Sequence, residues 1–203
     1  MYKVASLFCG CGGADLGMLG GFEFNGRYYD KLPFELVFST DISPKALATY
    51  QLNFKSENTI CDDICNISSD DIPDHDVLVG GFPCQSFSTV NPTKDPFDDR
   101  ANLYKQMLRI VNEKRPKIFI AENVKGLMTL YVGKIFKKIV SEFEACGYRI
   151  YNALLNAADY GVPQKRERVI VVGVRDDIIK EYEFPAKIEG DRAPLSAVIP
   201  QLA

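Results

Sequence analysis

The stretch Val4-Ala5-Ser6-Leu7-Phe8-Cys9-Gly10-Cys11-Gly12-Gly13 decides the fold. A short, nearly all-apolar run over residues 4–8 reads as a strand buried on both faces, and it breaks off at glycine. Glycines there allow a tight turn and a close approach of backbone to a ligand. A helix after such a turn offers free N–H groups to a carboxylate or phosphate. Further along, residues 36–40 form a second apolar run ending at Asp41, and residues 77–79 and 118–121 form two more. Residues 168–174 read as a further strand, with 148–155 as its partner. Helical patterns separate these runs. Ser43-Pro44 is a capped helix start, with Ala46, Leu47 and Tyr50 on the buried face. Leu103, Tyr104, Met107, Leu108 and Val111 share one helix face that ends before Pro116. Ile135, Phe136, Ile139, Val140 and Phe143 share another, closed by Gly147. Strands alternating with helices predict an α/β fold, a mostly parallel sheet with helices on both faces.

Composition narrows the field. The chain has 203 residues, 46% hydrophobic and 25% charged, which fits a globular domain and excludes disorder. No apolar run reaches the roughly 18–20 residues of a membrane span, and the first residues lack a signal-peptide layout. The expected setting is the cytoplasm. Six cysteines in such a context read as reduced thiols, and all but Cys84 are expected to be small buried hydrophobes. The single histidine, His75, removes His-rich metal sites and is expected at the surface; no metal is anticipated. A net charge of −3 does not advertise nucleic acid, so such a partner would need a local basic patch.

Four segments could carry chemistry. The glycine turn does not match the dinucleotide fingerprint, which would place a third glycine where Asp15 stands. Asp41 at a strand end could accept hydrogen bonds from ribose hydroxyls. Asp63-Ile64 could pair a carboxylate with an adenine amino group and an apolar side chain with the ring. With no basic residue in the glycine turn, S-adenosylmethionine fits better than a nucleotide. In Gly80-Gly81-Phe82-Pro83-Cys84-Gln85-Ser86, Cys84 lies on a rigid loop after a strand, suited to a nucleophile. Glu122-Asn123-Val124 places a carboxyl at a strand end, where it could hold or donate a proton to a ring nitrogen, or be an ordinary surface acid. In Gln164-Lys165-Arg166-Glu167-Arg168, alternation turns Arg166 and Arg168 to one side. They could serve a phosphate or a polarised carbonyl, or one could be a structural ion pair.

Taken in this order, these segments resemble the cytosine-5 DNA methyltransferase family from Ser6 to about Arg175. The resemblance rests on the Phe-x-Gly-x-Gly-Gly turn, the Pro-Cys-Gln loop, Glu-Asn-Val and Gln-x-Arg-x-Arg. It implies a Rossmann-like S-adenosylmethionine-dependent methyltransferase fold. It implies cofactor contacts at Phe8, Gly10, Cys11, Gly12, Gly13, Asp41, Ile42, Asp63, Ile64 and Leu103. Cys84 would attack cytosine C6, Glu122 would serve N3, and Arg168, with Arg166 beside it, would serve O2. Gln85, Ser88, Arg100 and Asn123 would contact a base flipped from double-stranded DNA. Asp99-Arg100-Ala101-Asn102-Leu103 is similar to the segment after the family's catalytic loop, with Ala101 where the family has glycine.

Family members continue into a target-recognition domain and a last helix. Residues 176–203 hold three prolines and no periodic run, so the expectation is a catalytic domain over 1–175 followed by a tail or the start of a recognition region. The expected partner is then a second chain or segment carrying recognition. The expected activity is methyl transfer to cytosine C5 in DNA, as in restriction-modification systems, leaving S-adenosylhomocysteine. A non-catalytic cofactor- or partner-binding module and an RNA cytosine-5 methyltransferase are the alternatives.

Overall fold

The computed structural model of the chain describes residues 1–24, 26–54, 58–83, 103–190 and 192–199. Strand β1 (Tyr2–Leu7) lies mid-sheet, with β4 (Phe34–Asp41) on one side and β6 (Val77–Gly80) on the other, both parallel to it. Beyond β4 lies β5 (Thr59–Cys61), and beyond β6 lies β7 (Ile118–Val124), again parallel. The order reverses at β1, so the loops after β1 and β6 part to opposite sides and leave a crevice at the strands' carboxyl ends.

Two antiparallel strands complete the seven-stranded sheet, whose order is β5-β4-β1-β6-β7-β9-β8. These are β8 (Tyr148–Asn156) and β9 (Glu167–Arg175), with β9 beside β7. Because β9 runs against β7, its first residues meet the last residues of β7: Arg168 pairs with Val124 and Ile170 with Glu122. This pairing explains why β7 runs three residues past the apolar stretch 118–121. Its polar end is held by β9 after β6 has stopped.

Helices cover both faces. Helices α1 (Gly13–Leu19) and α2 (Pro44–Asn53) lie on one, with Met18 packed on Val4, Val77 and Val79, and Tyr50 stacked on Phe54 at 4.6 Å. The α2 start is as its sequence dictates, with the Ala46 N–H donating to Ser43 Oγ at 3.3 Å. The opposite face carries α3 (Tyr104–Lys114), the short α4 (Gly126–Thr129) and α5 (Lys134–Ala145). There Tyr104, Met107, Ile110 and Val111 meet Ile135, Phe136, Ile139 and Phe143 in one apolar core. Phe119 of β7 lies 4.5 Å from the Phe143 ring and 5.4 Å from that of Tyr148. An excursion between α1 and β4 forms a hairpin, β2 (Phe22–Phe24) and β3 (Arg27–Tyr29), that its short, mixed sequence did not announce. Three-residue β5 was equally silent.

Two expectations are corrected. His75 is buried: its Nδ1 lies 2.9 Å from the Pro73 carbonyl, and burial holds its pKa below the ordinary value. It precedes β6, at the end of the sheet away from the crevice. The five described cysteines are not core residues. Cys9 and Cys146 are half-buried and Cys11, Cys61 and Cys65 exposed, since they stand at turns and element ends rather than within strands.

The segment after β9 folds back along β8. The Arg149 guanidinium donates to the Ile178 and Lys180 carbonyls, and Tyr182 sets its ring edge to Tyr151 at 5.9 Å. At the turn over Ala157–Tyr160, Asp159 pairs with Lys187 at 2.8 Å and Arg192 at 2.6 Å, while the Ile188 N–H donates to the Asp159 carbonyl.

Two tests follow from this packing. A methyl group added at Gly173 would lie 2.0 Å from the Phe119 ring, so Gly173→Ala is expected to cost about 1–3 kcal/mol in denaturant unfolding. The Lys187 and Arg192 partners hold the Asp159 carboxyl below the usual range, so its clamp persists above that range and weakens as pH falls through the lowered value. Asp159→Asn is expected to speed hydrogen exchange at the Ile188 amide; unchanged exchange would show that the clamp does not hold the segment.

Candidate active site

The crevice at the carboxyl ends of β1, β4 and β5 opens into a cavity of about 210 Å³. Its lining includes Phe8, Asp41, Ile42, Asp63, Ile64 and Leu103, all singled out in the sequence. Thr40, Asp62, Gly81 and Pro83 line it as well and were not. The only signal for Asp62 was its place beside Asp63, and both are fastened by local turns: the Asp63 N–H donates to Asp62 Oδ1 at 2.7 Å and the Cys65 N–H to Asp63 Oδ1 at 2.9 Å. Thr40 carried no signal beyond its strand.

The glycine turn is held from the side. Asp41 Oδ2 accepts the Gly10 N–H at 2.9 Å, and Oδ1 accepts the Ser43 N–H at 2.8 Å. One carboxylate therefore joins the turn after β1, the end of β4 and the start of α2. Phe8 and Gly10 adopt left-handed backbone at φ 54 and 55, which bends the chain sharply off β1. Gly12, at φ 87, sits against the α2 rings: a methyl group there would lie 2.2 Å from Phe54 and 2.9 Å from Tyr50. Only glycine fits. Cys11 and Gly13 face solvent beside it.

The electrostatics of the cavity select its ligand. Among the described residues the lining holds three carboxylates, Asp41, Asp62 and Asp63, and no lysine or arginine. Phosphate would be repelled. Hydroxyls, an amino group or a positive centre would be welcome, and Ile42 and Ile64 offer apolar surface to a flat ring. Adenosine bearing a sulfonium matches this set.

At the other side of Gly81 stands a charged cluster. Glu122 Oε1 accepts Arg168 Nε at 2.8 Å and lies 3.3 Å from Arg166. A methyl group added at Gly81 would lie 3.4 Å from Glu122 Oε2, so Gly81 borders both the cavity and the cluster. Arg168 of β9 and Arg166 just before it stand on one side, where both pair with a single carboxylate, a pairing the sequence reading did not foresee. Asn123 is buried; its Nδ2 donates to the Phe82 carbonyl at 2.8 Å and its Oδ1 accepts the Val124 N–H at 2.9 Å. Its amide thus anchors the Gly81–Pro83 segment from which residue 84 follows. Cys84, Gln85, Ser88 and Arg100 lie outside the described residues.

The sequence profile of C-5 cytosine-specific DNA methylases matches residues 2–199. The chain is 43% identical to the Type II methyltransferase M.BspRI of Lysinibacillus sphaericus, over 98% of this chain and 50% of that one. With M.NgoFVII of Neisseria gonorrhoeae the identity is 42%, over 90% and 46%. The chain thus spans about half the length of these relatives. Among solved structures, a prophage-encoded protein of E. coli assigned as a DNA modification methyltransferase superposes with a TM-score of 0.78 at 26% identity, over 98% of this chain and 54% of the other. The methyltransferase EhMeth of Entamoeba histolytica shares the fold, with a TM-score of 0.70 at 23% identity over 94% and 57%. Profile, relatives, glycine turn and carboxylate–arginine cluster agree: the chain belongs to the C-5 cytosine-specific DNA methylase family.

Proposed function

We propose that the chain catalyses methyl transfer from S-adenosylmethionine to C5 of cytosine in double-stranded DNA, as part of a restriction-modification type methyltransferase. One observation carries this reading: a carboxylate held by two arginines stands across Gly81 from a cavity whose charges among the described residues are all negative. The two halves suit two different reactants, an electron-rich ring that gains negative charge and a positively charged donor.

The cofactor, when bound, supplies an electrophilic methyl group. Cytosine C5 is too weak a nucleophile to take it directly. The Cys84 thiolate adds to C6, which raises the electron density at C5. With the donor held by Asp41, Asp63 and Ile64, C5 would take the methyl group and S-adenosylhomocysteine would be released. Loss of the C5 proton then expels the thiolate. Charge driven onto N3 and O2 during addition is met by Glu122, as proton source, and by Arg168, with Arg166 beside it. Asn123 fixes the base of the loop that carries Cys84, while Gln85, Ser88 and Arg100 are assigned to the flipped nucleotide. Residues 1–175 form the catalytic unit in this reading. Target recognition comes from a further segment or partner chain, which is supported by the extra length of the relatives.

Covalent trapping on duplex DNA containing 5-fluorocytosine, with methyl donor present, tests the reaction. The active assembly is expected to form a denaturation-resistant adduct and Cys84→Ser none. An adduct with the serine variant, or one formed on tRNA and not on the duplex, would overturn the assignment. Glu122→Gln is expected to lower turnover by roughly 10²–10⁴-fold with little change in donor affinity. Asp41→Ala leaves the Gly10 and Ser43 N–H groups without acceptors, a loss of about 1–3 kcal/mol. Donor affinity in calorimetry is expected to fall by about tenfold or more.

A further inference from the structure

Among the described residues, Asp15 is the one fully buried carboxylate, and the reaction above does not use it. It occupies the first turn of α1 beneath Gly12, with no exposed surface. An acid at this helix position often reaches back to cap the helix. Here no side chain caps α1, and neither oxygen of Asp15 has a partner in regular hydrogen-bond geometry. The groups around it come from three elements. Ser6 of β1 and Tyr50 of α2 bring hydroxyls within reach of it, and the Cys9 thiol of the turn lies near it and Asp41. Tyr50 is itself fully buried, and its hydroxyl faces only Asp15 and Ser39. None of these neighbours is a cation, and no described ion pair involves Asp15.

We propose that Asp15 is a positioning residue for the glycine turn, carried as a neutral carboxylic acid hydrogen-bonded to a hydroxyl of Tyr50 or Ser6. An ionised carboxylate sealed in this site would have neither a countercharge nor solvent. A neutral acid brings one donor and one acceptor, the complement of the Tyr50 hydroxyl. The bond ties the first turn of α1 to the same Tyr50 ring on which Gly12 rests. The turn is then fixed at two points, with Gly10 held by ionised Asp41 and Gly12 by neutral Asp15. Burial acts in the same direction, lifting the Asp15 carboxyl above its usual range and the nearby Cys9 thiol to about 12. The link to methyl-donor binding rests on the function proposed above; the protonation state does not.

The experiment has three arms on the intact chain. In infrared difference spectra of wild type against Asp15→Asn at neutral pH, a protonated-carboxyl stretch that shifts in heavy water is expected; its absence overturns the proposal. The second arm follows from linkage. A carboxyl whose folded pKa lies above its unfolded value stabilises the fold at acid pH and loses that contribution as pH rises through the folded pKa. Melting of the wild type relative to Asp15→Asn should therefore be highest at acid pH and fall as pH rises, and parallel melting curves would overturn it. In the third arm, calorimetry with S-adenosylhomocysteine should place Asp15→Asn within threefold of wild type. Asp15→Leu, shown folded by circular dichroism, should bind at least tenfold more weakly, and unchanged binding would remove the positioning role. Failure of the wild type to bind at all would strike the methyl-donor reading and leave the infrared and melting arms to decide this one.

Discussion

The carboxylate of Asp41 is the point on which the crevice depends. It receives two backbone N–H groups, Gly10 from the turn after β1 and Ser43 from the start of α2. Both donors come from turn or helix-start backbone that the sheet ladder leaves unsatisfied. A charged acceptor bonds them more strongly than a neutral one. The left-handed Phe8 and Gly10, strained or permissive in turn, are kept in a single arrangement by this contact rather than by strand pairing. The cavity wall formed by Phe8, Asp41 and Ile42 is therefore stiff before any ligand arrives.

Sheet topology then determines which chemistry lies next to that wall. Parallel strands β1, β4, β6 and β7 all send their carboxyl ends to one end of the sheet, so the loops that follow them converge there without further design. The antiparallel return of β9 adds what a purely parallel sheet could not. It carries Arg166 and Arg168 to Glu122, a separation of 44 and 46 positions closed to hydrogen-bond distance. Gly81 stands between this cluster and the cavity, and its missing side chain leaves the two in communication.

Much of this arrangement was legible in the chain. Apolar runs ending in Gly10, Asp41 and Gly80 marked strands and their functional ends together, because a parallel sheet buries its strands and exposes only their tips. The Arg166 and Arg168 alternation was readable for the same reason. The hairpin of β2 and β3 escaped notice, since its strands are three residues long and mostly exposed, with no period to detect. Thr40 was silent because a residue's position on a strand does not disclose which cavity it borders. His75 misled through its place before a strand, at the end away from the crevice: such a position looked exposed, while the fold buries the ring with Lys114 nearby. Asn123 was visible as a polar strand-end residue, but its bond to Phe82 is a tertiary fact that no local pattern encodes.

The distribution of these parts along the polypeptide has a consequence for its synthesis. The cavity wall draws mainly on residues 8–64, whereas the arginines that pair with Glu122 stand at residues 166 and 168. Emerging from the ribosome amino-terminus first, the chain can assemble that wall while these ion pairs are still unmade. The Glu122 cluster must wait until β9 has threaded in beside β7, so a prematurely terminated product ending before residue 166 would lack the two guanidinium groups that face Glu122.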